Sequence, residues 1–390
     1  MKILLVNTVA QGGSIPSYMR AIADKAAELG HTVAVAKGRR GDMSGVMNIS
    51  IGTRFDTVIH GIATRLFDRH GLSGRRATLA FIREIEAFAP DIIHLHNIHG
   101  YYLHYPALFS WLATCGIPVL WSLHDSWAYT GHCASPVGSA VCTKWQTHCS
   151  ACPCLKNYPS SFYDRSARNF DDKRRWFTSV PTLRLLPVSD WLSSQLAQSF
   201  LSGVPRTTVK LDIDTSLYRP VAPPKAGRVL GVANMWNGLK GLDFFRLLRQ
   251  QLPSGIEIRL IGNIRQRLPH GITSIGPVYS KEELIKEYSE ATVFVNPTRA
   301  DSLCLTNREA LSCGTPVISR DIFGTFEDIA PGSPVMLGAR TDSGLAPLVT
   351  DFLKTTAPGE LRAQCRDTAL ALYGSSPGLR KLFSVYDSLA

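Results

Sequence analysis

The sequence predicts an α/β protein built from two doubly wound, Rossmann-like domains in tandem, with a cleft between them. Strand-like and helix-like segments alternate along both halves of the chain, which is the pattern of parallel sheets with crossover helices. The proline-rich segment 217–228 interrupts any regular element near the middle. A length of 390 residues also exceeds what one hydrophobic core usually organises. We therefore expect an N-terminal domain at residues 1–218 and a C-terminal domain at residues 219–390.

The first half alternates from its beginning. The run "KILLVN" predicts a buried strand, "SIPSYMRAIADKAAELG" an amphipathic helix that ends at Gly30, and "HTVAVA" the next strand. Further along, "ATLAFIREIEAFAP" and "YPALFSWLATCG" predict helices, each followed by a strand, "DIIHLHN" and "PVLWSLHD". Continuous apolar strand runs are typical of parallel sheets that are covered on both faces.

The second half repeats this arrangement. Strands are predicted at "RVLGVAN", "IEIRLIG", "TVFVNP" and "PVIS", and helices at "GLDFFRLLRQQL", "SKEELIKEYSEA" and "LTNREALSCG". Ligands of such sheets bind at the carboxyl ends of the strands. We therefore expect the functional residues of both domains at those ends.

Five residues with suitable chemistry lie in the loops and helices that follow predicted strands. Gly12 and Gly13 precede the first helix, whose free amides suit a phosphate. Lys240 follows the first strand of the second half, where an ammonium could neutralise a diphosphate. Asp301 and Glu309 lie in a loop and in the following helix, and their carboxylates could accept hydrogen bonds from sugar hydroxyls. Taken singly, the two glycines are better explained by a tight strand-to-helix turn, and a solvated surface lysine is the alternative for Lys240.

The charge of the chain indicates which classes of partner it could bind. The net charge is +11, with 42 Lys and Arg against 31 Asp and Glu, and most of the excess lies in the first half. Between residues 37 and 83 basic residues alternate with apolar ones, which suits an anionic membrane surface or, as the alternative, a solvated basic face. No RNP-like motif, zinc-finger spacing or basic heptad region indicates nucleic acid.

The expected location follows from the same features. No apolar run of 18 residues is present, and the first residues predict a strand instead of a signal peptide. We expect a cytoplasmic protein that is peripheral on the inner face of the cell membrane.

Five cysteines cluster within an insert at about residues 131–158 of the N-terminal domain. In a reducing compartment such thiols are free or bind metal more often than they form disulfides. We expect a structural zinc site at Cys133, Cys142, Cys149 and Cys152, with free thiols or disulfides as the alternatives. His94, His96 and His99 lack a carboxylate partner in the sequence, so core or cleft positions are expected for them.

The segment "NPTRADSLCLTNREALSCGTPVIS" resembles the E-x7-E segment of retaining glycosyltransferases of the GT-B fold, glycosyltransferase family 4, with Asp301 in place of the first Glu. The resemblance continues through "GHTVAV", "PDIIHLHN", "LHDSWAYTGHC", "VSDWL", "DTSLYRP" and "KGLDFF". Members that build capsular, exopolysaccharide or O-antigen repeat units are the most similar.

This resemblance implies a role for each domain. The C-terminal domain would bind a UDP- or GDP-linked sugar, and the N-terminal domain a glycan acceptor, expected to be linked to polyprenyl diphosphate. Glu309 would bind the ribose and Lys240 the diphosphate, while the amide of Gly13 would approach the distal phosphate. The transferred sugar would contact Asp301 and the amides of Ser302, Leu303, Cys304 and Leu305.

The resemblance also implies the reaction. His124 would orient the transferred sugar with Asp125 as its neighbour, and His96, Asn97, Tyr101 and Asp125 would contact the acceptor. The implied mechanism is retaining, and the family needs no catalytic metal, so the only cofactor expected is the structural zinc. The arginine that usually accompanies the lysine is replaced, because Asn234 and Leu239 occupy those places; Arg265, Arg267 and Arg299 are the candidates to substitute for it.

Two other functions fit the sequence. One is a non-catalytic glycan-binding or assembly protein that keeps the GT-B fold. The other is a nucleotide-sugar hydrolase or phosphorylase of the same fold.

Overall fold

Two compact units make up the chain in the computed structural model, which describes residues 1–137, 141–330 and 332–389. The first unit comprises residues 1–210 and 378–390, and the second comprises residues 211–377. Each is built on its own six-stranded parallel sheet. The predicted fold class of two Rossmann-like α/β domains is confirmed.

The strands of the first unit are β1 (Lys2–Asn7), β2 (Thr32–Lys37), β3 (Met47–Ser50), β4 (Ile92–Leu95), β5 (Val119–Leu123) and β6 (Leu183–Pro187). Its helices up to residue 210 are α1 (Ser14–Glu28), α2 (Arg54–Phe67), α3 (Arg75–Phe88), α4 (Tyr105–Leu112), α5 (Ser166–Phe177) and α6 (Asp190–Ala197). The sheet order is β3-β2-β1-β4-β5-β6. The order reverses between β1 and β4, which is where doubly wound sheets open a crevice.

The second unit has the same order. Its strands are β7 (Arg228–Met235), β8 (Glu257–Asn263), β9 (Ile272–Gly276), β10 (Val293–Asn296), β11 (Val317–Arg320) and β12 (Met336–Ala339). Its helices are α7 (Leu242–Gln251), α8 (Lys281–Glu290), α9 (Leu305–Ser312), α10 (Asp342–Thr355) and α11 (Arg362–Tyr373). The sheet runs β12-β11-β10-β7-β8-β9, so the reversal lies between β7 and β10.

Side chains along the strands of the second unit alternate between the two faces of its sheet and fill a hydrophobic core on each face. Val229 and Val293 pack into the cluster on one face of the sheet, whereas their chain neighbours Leu230 and Phe294 pack into the cluster on the other face. Successive side chains of a strand point to opposite faces. Both faces are therefore apolar, as the continuous apolar runs predicted.

The division of the chain differs from the expected boundary at 218/219. Residues 211–218 join the second unit because Ile213 and Tyr218 pack into its core. The last helix, α12 (Pro377–Asp387), was expected in the C-terminal domain, but residues 378–390 belong to the first unit. There the Tyr386 hydroxyl lies 2.6 Å from Nδ1 of His94.

No helix within the described ranges 1–137, 141–330 and 332–389 has both the length and the apolar character needed to span a bilayer.

Candidate functional site

Lys240 and Asp301 form an ion pair at the reversal point of the second sheet. Lys240 lies in the turn between β7 and α7, and Asp301 lies in the loop that follows β10. The Lys240 Nζ is 2.9 Å from Oδ2 of Asp301. The turn needs glycine next to Lys240, because Gly241 has φ +74° and a Cβ there would lie 2.6 Å from the Pro297 carbonyl. The turn before α7 and the loop after β10 therefore pack closely against each other.

The pair is charged and accessible. Burial lowers the Lys240 pKa, but the neighbouring Asp301 carboxylate outweighs this effect, so the pKa is raised above its ordinary value. The Lys240 and Asp301 side chains are 36% and 26% exposed. An anionic ligand could therefore reach the ammonium without any rearrangement of the core.

The loop after Asp301 uses most of its own amides. The Leu303 amide donates to Oδ1 of Asp301 at 3.2 Å, the Cys304 amide donates to the Gly324 carbonyl at 3.4 Å, and the Leu305 amide donates to the Leu303 carbonyl at 3.0 Å. Three of the four amides that the resemblance assigns to the donor sugar are thus engaged within the protein. The Cys304 thiol is buried and accepts a hydrogen bond from Asn296 at 3.3 Å.

Glu309 lies in the second turn of α9 among different partners. The Tyr288 hydroxyl donates to its Oε2 at 2.8 Å, and the Tyr218 hydroxyl is a second hydrogen-bond partner. Burial raises the Glu309 pKa, although both phenols act in the opposite direction. Among the described residues the side-chain partners of Glu309 and Asp301 do not overlap, so the two carboxylates form separate subsites.

The candidate arginines do not join Lys240. The Arg299 guanidinium binds the carboxylates of Asp243 and Asp342 at 2.7 and 2.8 Å. Arg265 and Arg267 are exposed on the segment after β8. The sequence could not have revealed the pairing of Arg299, since its partners lie 56 and 43 residues away along the chain.

Histidines at the strand ends of the first unit form a contact that sequence reasoning missed. His96 Nδ1 lies 3.1 Å from Nε2 of His124, and the rings are stacked with centroids 5.4 Å apart. Burial lowers the pKa of His124 to about 4, and the Asp125 carboxylate only partly opposes this. Burial also lowers the His96 pKa well below its ordinary value. Both rings are therefore neutral at pH 7.

Asp125 is held by a different histidine. Its Oδ2 lies 2.9 Å from Nε2 of His99, and its Oδ1 accepts the Trp127 amide at 2.9 Å. Burial would raise the Asp125 pKa, but His99 and this amide outweigh it and lower the pKa. His99, which the sequence suggested only as a core or cleft residue, is thus the group that orients Asp125.

The other expected acceptor residues lie near these histidines in the chain, and ring contacts through His70 and His99 link Tyr101 to Asp125. Tyr101 adopts φ +70°, and its ring lies 4.8 Å from that of His70. Asn97 is held through its backbone, whose carbonyl accepts the Tyr102 hydroxyl at 2.8 Å.

Gly13 lies where the sequence predicts. It is the N-cap of α1 and has φ +85°, and no side chain caps the helix. A Cβ on Gly13 would meet no atom within 4 Å, so glycine is favoured there by its backbone conformation and not by crowding. The exposed amides of the first turn remain suited to a phosphate.

The cysteine insert groups its thiols differently from the expected quartet. Cys133 hydrogen bonds with Cys152 and also with Cys154, which was not in the expected set. The Cys149 thiol accepts the Gly131 amide at 3.2 Å. No metal-binding group of three or more His, Cys, Asp or Glu side chains is found in the described parts of the chain, and residues 138–140 of the insert lie outside them. The zinc site at Cys133, Cys142, Cys149 and Cys152 stays a prediction.

Two tandem Rossmann-like units with charged groups at the strand ends define the class of GT-B proteins. Residues 15–191 match the family described as Glycosyltransferase Family 4, and residues 227–355 match the family described as Glycosyl transferases group 1. The chain therefore belongs to the family 4, group 1 glycosyltransferases of the GT-B fold.

Individual relatives agree with this assignment. The chain is 27% identical over 246 residues to WcaC of Escherichia coli K12, which is named for glycosyl transfer in colanic acid biosynthesis; the match covers 59% of this chain and 60% of WcaC. Sucrose-phosphate synthase from Thermosynechococcus elongatus has a TM-score of 0.74 at 16% identity, covering 100% of this chain and 98% of that one. Anabaena HepE in complex with UDP and glucose has a TM-score of 0.68 at 12% identity, and both chains are covered completely. These two structures show the fold alone.

Proposed function

We propose that the protein is a retaining hexosyltransferase that uses a nucleoside-diphosphate sugar and extends a lipid-linked glycan during bacterial surface polysaccharide synthesis. The observation that carries the proposal is the Lys240–Asp301 pair at 2.9 Å, with Glu309 in its own subsite on α9. An ammonium suits a diphosphate, and two separate carboxylates suit the two sugar rings of one donor.

The donor would lie along these groups in a fixed direction. Glu309 accepts hydrogen bonds from the ribose hydroxyls, Lys240 neutralises the diphosphate and Asp301 orients the hexose. Charge-assisted hydrogen bonds to Lys240 would become strongest as the diphosphate leaves, because negative charge then increases on its oxygens. The lysine would therefore stabilise the transition state more than the bound donor.

The proposed reaction keeps the anomeric configuration. The bond from the anomeric carbon to the diphosphate oxygen breaks, and the acceptor hydroxyl forms its new bond on the same face. Its proton passes to the departing diphosphate, which balances the charge without a side-chain nucleophile. The neutral His124 imidazole would hydrogen bond to the transferred sugar, with the His96 ring at 3.1 Å fixing its orientation. No metal takes part in this scheme.

The proposal also specifies the acceptor and the cellular location. His96, Asn97, Tyr101 and Asp125 would contact the glycan, and a polyprenyl diphosphate would anchor it in the cytoplasmic leaflet. WcaC is named for colanic acid biosynthesis, which supports a glycan acceptor. Zinc at the cysteine insert would be structural, and metal analysis of protein purified without added zinc would show about one ion per chain.

Calorimetric titration with UDP, GDP and their sugar conjugates tests the proposal, followed by a transfer assay with the conjugate that binds. We expect micromolar binding for one base without added metal. A folded protein that binds none of these ligands and transfers no sugar would instead be the non-catalytic member of the fold. Release of free sugar in the absence of acceptor, without glycan extension, would indicate a hydrolase.

A further inference from the structure

Helix α2 exposes its large apolar residues, and the two residues that it buries are polar. The residues buried along it are His60 and Thr64, each 1% exposed. Its large apolar side chains face solvent instead: Phe55, Val58, Ile59, Ile62, Leu66 and Phe67, which are 45–71% exposed. The first five recur at helical spacing and form one stripe, which we call the α2 stripe. Amphipathic surface helices ordinarily have the opposite orientation, so the stripe calls for an apolar partner.

A second exposed ring extends the stripe at its C-terminal end. Phe162 is 69% exposed, and its amide donates to the Arg65 carbonyl at 2.8 Å. The Arg65 guanidinium lies over the Phe162 ring at 4.2 Å. The loop that carries Phe162 is thereby fixed beside α2, so the apolar surface is built from two segments of the fold.

The surroundings of the stripe are basic. Arg39, Arg40, Arg54, Arg65 and Arg69 are exposed around it, and a cavity of about 560 Å³ beside Val58 is lined by Lys37, Arg39, Arg40 and Arg54. Of the three acids between residues 37 and 76, Asp42 offsets the charge of Lys37 in the cavity lining, and the other two have partners elsewhere. Asp68 is buried with His132 at 2.6 Å, Asp42 pairs with Lys37 at 2.9 Å, and Asp56 is held in the capping box of α2.

We propose that the α2 stripe and its arginines dock the first unit on an anionic lipid bilayer, with the apolar side chains inserted between headgroups and the basic cavity facing lipid phosphates. This combination of an apolar face and flanking arginines is that of an interfacial helix. A second copy of the chain is a poorer partner, because a twofold contact would bring the same arginines against one another. The inference deepens the proposed function, since a membrane-embedded acceptor would bring the enzyme to the leaflet, but it is measured without donor or acceptor.

Vesicle flotation of the full chain tests this inference. We expect binding to vesicles of phosphatidylcholine with 30% phosphatidylglycerol, a loss of binding as the salt concentration rises, and little binding to phosphatidylcholine alone. The double variant Ile59→Ser/Ile62→Ser should reduce partitioning by at least about tenfold. Arg54→Gln and Arg69→Gln should each reduce it about fivefold.

Two matched controls keep the outcome interpretable. Val221 and Leu370 of the second unit are 53% and 42% exposed, and serine at either position should leave vesicle binding unchanged. The thermal midpoint of the α2 variants should match the parent, because the replaced side chains are exposed. Equal binding to both vesicle types, or full binding by Ile59→Ser/Ile62→Ser, would overturn the inference. The inference would also be overturned if the parent formed a dimer that Ile59→Ser/Ile62→Ser abolishes and neither protein bound vesicles. Nucleotide titration of the same samples reports separately on the proposed function.

Discussion

Replacing Lys240 by methionine should weaken donor binding while leaving the fold intact. Methionine keeps most of the length of the side chain and its apolar stem but loses the ammonium that lies 2.9 Å from Oδ2 of Asp301. In the free protein this pair is partly exposed, and such pairs contribute about 0–1 kcal/mol to the free energy of unfolding. The variant should therefore unfold within about 1 kcal/mol of the parent.

The loss in binding should be larger. A hydrogen bond to a charged group contributes about 1.5–3 kcal/mol, which corresponds to a loss in affinity of about 10- to 150-fold. The decrease in transfer rate should exceed the decrease in affinity, because the contact strengthens as the diphosphate departs. The two losses together would identify the ligand of Lys240 as the leaving group.

The assay compares three proteins by urea unfolding, calorimetry with the preferred nucleoside diphosphate and transfer from its sugar conjugate. Lys286→Met is the control, because Lys286 is an exposed lysine on α8. Lys240→Met with unchanged affinity and transfer would refute the assignment. A loss of several kcal/mol in stability would instead show that the pair is chiefly structural.

Three further predictions concern other residues. Burial lowers the pKa of His60 to about 4, from an ordinary value of 6.5, so the unfolded chain binds more protons in this range. The free energy of unfolding should fall by about 2 kcal/mol between pH 7 and pH 5 because of this residue alone. Urea unfolding of His60→Gln should not show this decrease. An equal pH dependence of the unfolding free energy in both proteins would contradict the burial argument. Tyr288→Phe removes the 2.8 Å hydrogen bond to Glu309 and so raises the Glu309 pKa further; the acid limb of nucleotide binding should move to higher pH, and an unmoved limb would place Glu309 outside the donor site. Gly13→Ala and Gly30→Ala each place an alanine at a positive φ, +85° and +74°, in open space, which costs about 1–3 kcal/mol; only Gly13→Ala should weaken donor binding, and an equal effect of both would dismiss the phosphate role of Gly13.

Local pattern was enough to predict the two sheets and the positions of Lys240 and Asp301 after predicted strands. Apolar runs and helical periodicity specify which segments become strands and helices, and the order of parallel strands brings the ends of β7 and β10 together. The sequence therefore places Lys240 and Asp301 after strands, whereas their ion pair follows from the strand order seen in the structure.

Contacts between distant segments could not be predicted in this way. The binding of Arg299 to Asp243 and Asp342, the Tyr288–Glu309 hydrogen bond and the return of α12 to the first unit all depend on how helices pack onto the sheet. The orientation of α2 is a similar case, because the spacing of its apolar residues predicts a stripe but not whether that stripe faces the core. Spacing alone also gave no reason to place Cys154 beside Cys133.

The membership of residues 378–390 in the first unit makes that unit discontinuous in the chain, with the second unit inserted into it. During synthesis the ribosome must complete all of residues 211–377 before Tyr386 can reach His94. Until then Nδ1 of His94 lacks its final partner, although Nε2 can already pair with Ser122, so the first unit is completed last although most of it is synthesised first. A fragment that stops at residue 210 would keep all six strands of its sheet but lack the helix that completes it.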